Sequence, residues 1–377
     1  NFYYDVPAGF LALCSKNLPD CTVIPSEHFN VKTYTQTGST NDGDDVVVST
    51  KACDLIWIKD RDSASYNHVW LDRIRGGDKY LAPNTAEMEG TMAGGTSAGI
   101  TYGTDTYTIG NDANAKGINS NSGADYVAWS WRADGTTGLS SPDTEGTINA
   151  TASSVNTDAG FSITQYSGNS TSGATIGHGL SVRPDLVLIK RLNGDNTKGW
   201  PVGSIQTLAS VWPSFSHHMR FNTNVALAAE VAFFNDTNPT ATVVSLGNGT
   251  WTNETGGVYM MYCWHNIDGY SKTGAYKGNY TADGAFVYLG FRPAYVIIKY
   301  IGTAMSWVIF DNKRSPYNDV SKFLFSDAAT AETTQSPMIN FLSNGMKMRR
   351  LDSWHNNTDS YLYMAFAETP FKNANAR

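Results

Sequence analysis

A chain of 377 residues with 27 basic and 34 acidic side chains, net −7 and without a basic tract, excludes two partners. Neither counterion-driven nucleic-acid binding nor adhesion to an anionic membrane suits that charge. At 41% hydrophobic, 12% aromatic and only 16% charged, with 35 glycines, it reads as a loop-rich all-β chain of two to four domains.

No apolar run approaches the ~18 residues of a membrane-spanning helix. The opening NFYYDVPAGF has no initiator Met and no signal-peptide pattern, so further sequence is expected before it. Residues 1–27 read as a connecting segment. Cys14 and Cys21 lie close enough in sequence to pair locally, whereas Cys53 and Cys263 sit in strand-like runs. Four cysteines in this length make no disulfide framework, and the thiols are expected to be reduced. No CxxC spacing supports zinc.

Over 28–134, FNVKTYTQTG carries Tyr34, CDLIWIKDRD carries Lys59, and DYVAWSW begins its pattern at Tyr126. Asp42, Asp44 and Asp45 in NDGDD have a spacing that can ligate calcium, although a solvated hairpin tip accounts for them equally. GTSAG matches the nucleophile-elbow pattern at Ser97, but its small-residue loop lacks the strand–turn–helix context the chemistry needs. Residues 135–158, rich in Gly, Ser and Thr, read as a linker.

Over 159–269 the same landmarks return as Tyr166, Lys190 in PDLVLIKRLN, and Tyr259 in VYMMYCW. Adjacent His217 and His218 cannot readily chelate one metal from either a strand or a helix. NVALAAEVAFF (224–234) is the best helix candidate, for a turn or two. GNGTWTNETGG presents Trp251 among amides, a composition that suits stacking on a sugar ring; covering the end of a sandwich is the plainer role. The NIDGYSKTG junction has almost no spare residues, so the second and third copies should be held more rigidly together than the first and second. Over 270–377 the landmarks are Tyr276, Lys299 and Tyr361.

Tyr-to-Lys separations of 25, 24 and 23 residues, and Lys-to-Tyr separations of 67, 69 and 62, define an internal repeat of roughly 110 residues. The expected architecture is three tandem jelly-roll-like β-sandwiches in series. In the last strand of each copy, one face is large (Val127, Trp129, Trp131; Met260, Tyr262, Trp264; Leu362, Met364, Phe366) and should fill the space between two sheets. The lysine at each strand end is expected to pair with a glutamate of its own copy: Lys59 with Glu87, Lys190 with Glu230, and Lys299 with Glu332. A Schiff-base lysine would be singular, so three copies read as architecture. No P-loop, HExxH or dinucleotide fingerprint occurs, and no carboxylate pair sits in a glycosidase-like setting. Seven sequons are near chance in so Asn- and Thr-rich a chain.

VPAGFLALCSKNLPD (6–20), GAFVYLGFRPAYVIIKY, FDNKR, INFLSNGMKMRR and YLYMAFAETPFKNANAR (361–377) resemble segments of a family of marine tailed-phage, cyanophage-type virion proteins. The resemblance implies a place in the virion, as a tail-fibre, tail or capsid-associated structural protein, and brings no catalytic residues. Further expectations follow. The chain is a non-enzymatic homo-oligomer, trimeric if a fibre, partnered by other virion proteins and assembled in the host cytoplasm. A glycan-binding module that recognises the host surface is the alternative. No cofactor is implied beyond calcium at the aspartate tip.

Overall fold

The repeated tyrosines are cross-strand neighbours. The structure is a computed structural model and describes residues 23–36, 46–49, 54–93, 98–110, 117–119, 123–133, 143–205 and 214–371. Tyr34 stands opposite Tyr126, Tyr166 opposite Tyr259, and Tyr276 opposite Tyr361. Their rings stack at 5.0, 5.2 and 5.1 Å, near-parallel in each case. The first hydroxyl of each pair donates to a loop carbonyl: Tyr34 to Ile118, Tyr166 to Thr252, Tyr276 to His355. A buried phenol needs such an acceptor, and it pins the loop that leads into the closing strand.

The described residues are nearly all β. One strand order recurs three times. An opening strand pairs with a closing strand, which pairs with the lysine strand, which pairs with a fourth strand. In unit 1 these are Phe29–Thr35, Asp125–Trp131, Leu55–Asp60 and Val69–Asp72. In unit 2 they are Phe161–Ser167, Val258–Trp264, Leu186–Arg191 and Pro201–Ser204. In unit 3 they are Ser271–Lys277, Ser360–Pro370, Phe291–Tyr300 and Val308–Asp311. All three pairings are antiparallel. The stretch read as a linker is partly sheet: Ala150–Asn156 pairs with the opening strand of unit 2. Within 224–234 the helix is a single turn, Val231–Phe234, capped by the Glu230 carboxylate accepting from the Ala232 N–H.

The large faces do not fill a sandwich of their own unit. Val127, Trp129 and Trp131, Met260, Tyr262 and Trp264, and Leu362, Met364 and Phe366 all belong to one buried cluster shared by the three units. Alternation sends the other face inward to a private core. Tyr126 and Ala128 join one such cluster, Tyr259, Met261 and Cys263 a second, and Tyr361, Tyr363 and Ala365 a third. The lysine strands obey the same period: Leu55, Leu186 and Tyr295 face the shared core, while Ile56, Val187 and Val296 face the private ones. The expected series of units is therefore closed into a ring around common apolar contents. A void of about 20 Å³ remains at its centre, lined by Trp57, Trp70, Trp131, Trp264 and Trp307 among others. With no polar atom on its wall it offers a water no partner, so the middle of the ring is packed shut.

Candidate functional site: the ring junctions

Each unit reaches the next through the turn after its lysine strand. The carbonyl two residues past the lysine accepts a backbone N–H from a neighbouring unit: Arg61 from Glu332 (2.7 Å), Leu192 from Glu89 (3.1 Å) and Ile301 from Leu227 (3.2 Å). A ring nitrogen eight to ten residues past the lysine donates across the same junction. Trp200 Nε1 bonds the Thr85 carbonyl at 3.0 Å, and Trp307 Nε1 the Arg220 carbonyl at 3.1 Å. In unit 1 the position is His68, whose Nε2 meets the Phe325 carbonyl at 2.9 Å while its Nδ1 accepts from Trp57 Nε1 at 2.9 Å. Those two partners require the neutral Nε2–H tautomer. Burial, followed by the nearby Lys59 charge, holds the His68 pKa well below the ordinary imidazole value, in keeping with that state. Unit 1 thus grips unit 3, unit 3 grips unit 2, and unit 2 grips unit 1.

The three lysines are fully buried, and two of them reach across these junctions. Lys190 Nζ donates to the carbonyls of Ala86 (3.0 Å) in unit 1 and Lys198 (2.6 Å). Lys299 Nζ donates to Asn224 (2.8 Å) in unit 2 and to Met305. Lys59 Nζ stays in its own turn, on the carbonyls of Asp60 (2.6 Å) and Ser63 (3.0 Å). Desolvation lowers their pKa values to about 8 for Lys59, 7 for Lys190 and 8 for Lys299. The expected lysine–glutamate pairs are not formed. Glu87 is exposed and acts, weakly and from unit 1, on Lys190. Glu230 caps the short helix. Glu332 binds Arg61 in bidentate fashion at 2.9 and 2.9 Å and also meets Arg314 and Lys322. The carboxylate that acts on Lys299 is Asp327.

A second device, absent from the sequence reading, is the buried box Asp-x-x-Arg. Asp72 accepts the Arg75 N–H (3.0 Å) and Nε (2.6 Å), and Asp311 accepts the same atoms of Arg314 at 2.9 and 2.6 Å. Each guanidinium also bonds a carbonyl, Trp70 for Arg75 and Ile309 for Arg314. Equivalent closing-strand side chains of neighbouring units complete the boxes: Tyr262 OH bonds Asp72 at 2.8 Å, and Trp129 Nε1 bonds Asp311 at 3.1 Å. The register places Ser204 where the aspartates stand, opposite Leu186 as Asp72 is opposite Leu55. The donor's counterpart is Met364, and Thr207 follows Ser204 where arginine would. Unit 2 has neither the acceptor nor the guanidinium, and unit 3 offers it no donor. The repeated Asp-x-x-Arg spacing of LDRIR and FDNKR is the signal that marks it.

The remaining candidates divide into the placed and the undescribed. Trp251 is a cover on the private core of unit 2: it stacks on Phe233 at 5.3 Å and carries the Arg220 guanidinium 4.6 Å from its ring centre, which leaves it a poor sugar platform. His217 bonds Ser216 Oγ, whereas His218 is buried edge-on to Phe233, its pKa lowered to about 4 by desolvation. Cys263 is a buried free thiol whose pKa burial raises. Asp42, Asp44, Asp45, Ser97, Cys14, Cys21 and Cys53 lie outside the described residues. Among the described residues no group of three or more His, Cys, Asp or Glu side chains could hold a metal ion, and no helix is long and apolar enough to cross a membrane.

No curated protein and no solved structure matches this chain. A family model described as a domain of unknown function, DUF7483, matches residues 24–370, nearly the whole of it, and the chain belongs to that family.

Proposed function

We propose that this chain is a non-enzymatic structural protein of a bacteriophage virion, a tail-fibre or tail component or a capsid decoration, built of three jelly-roll-like β-sandwich repeats. The observation that carries the reading is where the buried charge goes. Lys190, Lys299 and Arg61 are spent on carbonyls and a carboxylate of neighbouring units, and Arg75 and Arg314 brace the aspartates that accept from the neighbouring Tyr262 and Trp129, rather than gathering around a cleft. Such ties favour a rigid body over a reactive one, because each of these ions is held by a carbonyl or carboxylate of the scaffold. The resemblance of both chain ends to phage virion proteins supplies the setting.

Self-assembly is the second half of the proposal. Of the large apolar side chains that stand exposed among the described residues, Tyr280, Phe286, Tyr288, Tyr317 and Leu351 belong to unit 3, against Ile24, Val182 and Val231 elsewhere. That bias suits a unit that docks against other virion proteins or further copies. Light scattering of the purified protein at two concentrations tests it. A stable trimer or higher closed assembly is expected, and a monomer at both concentrations would refute self-assembly.

A further inference from the structure

Two loops of this protein are built on the same frame, and one of them carries a side chain the frame does not need. In unit 2 the loop after the opening strand runs Gly168-Asn169-Ser170-Thr171; in unit 3 it runs Gly278-Asn279-Tyr280-Thr281. Asn253 locks the first, its Oδ1 accepting from the Asn169 N–H at 2.8 Å and its Nδ2 donating to the Thr171 carbonyl at 2.9 Å. Asn356 locks the second in the same way, at 3.1 and 2.8 Å. The glycines bring both loops close to backbone: a Cβ at Gly168 would lie 2.5 Å from the Glu254 carbonyl oxygen, and one at Gly278 1.9 Å from that of Asn357. The third residue is left-handed in each loop, φ +58 at Ser170 and +50 at Tyr280. The frame therefore explains the backbone conformation. It does not explain a tyrosine, because a serine does the structural work in unit 2, where its Oγ accepts from the Thr255 N–H at 2.8 Å.

Tyr280 is 49% exposed and lines a groove of about 310 Å³ with Met305, Leu351, Asp352, Ser353 and Trp354. Leu351-Asp352-Ser353-Trp354 is the unit 3 counterpart of Asn248-Gly249-Thr250-Trp251, with the locking asparagine two residues after each tryptophan. The groove has firm walls. Trp354 packs on Phe323 and Phe325 at 5.4 and 5.2 Å, the Trp354 N–H is held by Asp352 Oδ1 at 2.6 Å, and Met305 is tied to the unit 2 carbonyl of Asn224 at 2.9 Å. Its volume suits one or two sugar rings, and its six lining residues are far fewer than the roughly 20–30 per side of a stable protein interface. An aromatic ring offers its face to the C–H side of a pyranose, while a carboxylate and a hydroxyl beside it accept and donate to sugar hydroxyls. The Asp352 carboxylate and the net charge of −7 disfavour acidic sugars.

We propose that the Tyr280–Trp354 groove of unit 3 is a binding site for an uncharged hexopyranose, free or at the end of a surface glycan. The proposal does not depend on the scaffold role or on the virion setting. The test is saturation-transfer NMR of the full chain with glucose, galactose, mannose and N-acetylglucosamine, followed by titration of any sugar that responds. Tyr280→Ser restores the residue unit 2 carries on the same frame, so its melting temperature should match the wild type. We expect at least one sugar to bind, affinity to fall about tenfold or more in Tyr280→Ser, and Tyr280→Phe to retain it. No response to any of the four sugars, or equal affinity in a folded Tyr280→Ser, would overturn the proposal. Either result leaves the light-scattering test of self-assembly untouched.

Discussion

Replacing Asp311 by the serine that unit 2 carries at the equivalent place should destabilise the protein severely. Asp311 is fully buried and accepts four hydrogen bonds, from the Lys313 and Arg314 N–H groups, from Arg314 Nε and from Trp129 Nε1. Its loss leaves the Arg314 guanidinium, itself fully buried, with the Ile309 carbonyl and, for a counter-charge, Glu332 at 3.4 Å, a carboxylate already engaged by Arg61. Breaking a buried pair from one side costs about 3–5 kcal/mol, and an orphaned indole N–H costs about another 1 kcal/mol. Removing the stranded charge as well should recover much of this. Asp311→Ser with Arg314→Thr recreates the Ser204 and Thr207 pair of unit 2. Its cost should fall short of the sum of the two single changes by at least about 2 kcal/mol. Urea unfolding of wild type, both single variants and the double measures the cycle, with an unchanged m-value as the check that the unfolded states are comparable. Additivity within about 0.5 kcal/mol would refute the argument that the box is one electrostatic unit.

The remaining predictions follow from the same geometry. Trp200→Phe and Trp307→Phe each leave a junction carbonyl, Thr85 or Arg220, without its indole donor, and should cost about 1–2 kcal/mol each, read by urea unfolding. Residues 270–371 expressed alone would expose Tyr295, Ile297, Leu362, Met364 and Phe366, and should aggregate; a soluble, cooperatively folding fragment would show that the shared core is dispensable. Lys190 falls from an ordinary 10.5 to about 7 on folding, so between those values the unfolded chain holds a proton the folded chain releases. Its contribution to stability therefore rises with pH across that window. The two carbonyl acceptors favour the ammonium and temper the effect, so we expect wild type to gain about 1–3 kcal/mol relative to Lys190→Met between pH 7 and 9.5. A difference that stays flat with pH would refute it. Cys263, buried with a thiol that burial makes reluctant to ionise, should stay unmodified by iodoacetamide until the protein unfolds, as peptide mass spectrometry would show.

The all-β character and the period of the repeat were legible because both are written in side chains. Tyr34, Tyr166 and Tyr276 recur because each stacks on a second recurring tyrosine, and the two-faced closing strands recur because each faces two cores. What alternation cannot say is which neighbour a face meets. Trp129, Tyr262 and Met364 would look the same filling a sandwich as filling a ring, and only the placement of the sheets decides between them. The surroundings of a loop tryptophan are hidden for a related reason. Trp251 and Trp354 occupy the same position in matching loops, but Phe233 and Arg220 are packed on the first, while the second lines an open groove.

The lysines show where reading of this kind stops. A lysine at the end of a buried strand was matched to glutamates because a charged side chain suggests a charged partner. Its partners are carbonyls of Ala86, Lys198, Asn224 and Met305, which any residue type would have offered. A backbone acceptor leaves no trace in the sequence of the segment that supplies it, so the junctions were invisible from the receiving side. They were visible only from the giving side, as a donor repeated with nothing repeated to receive it. Lys190 and Lys299 each cross to a neighbouring unit, and Arg61 crosses in place of Lys59. Three donors of one chain, each directed out of its own unit, are what a closed ring requires and an open series does not. In a series the last unit would have no neighbour to grip, and a buried donor at that end would be left without an acceptor.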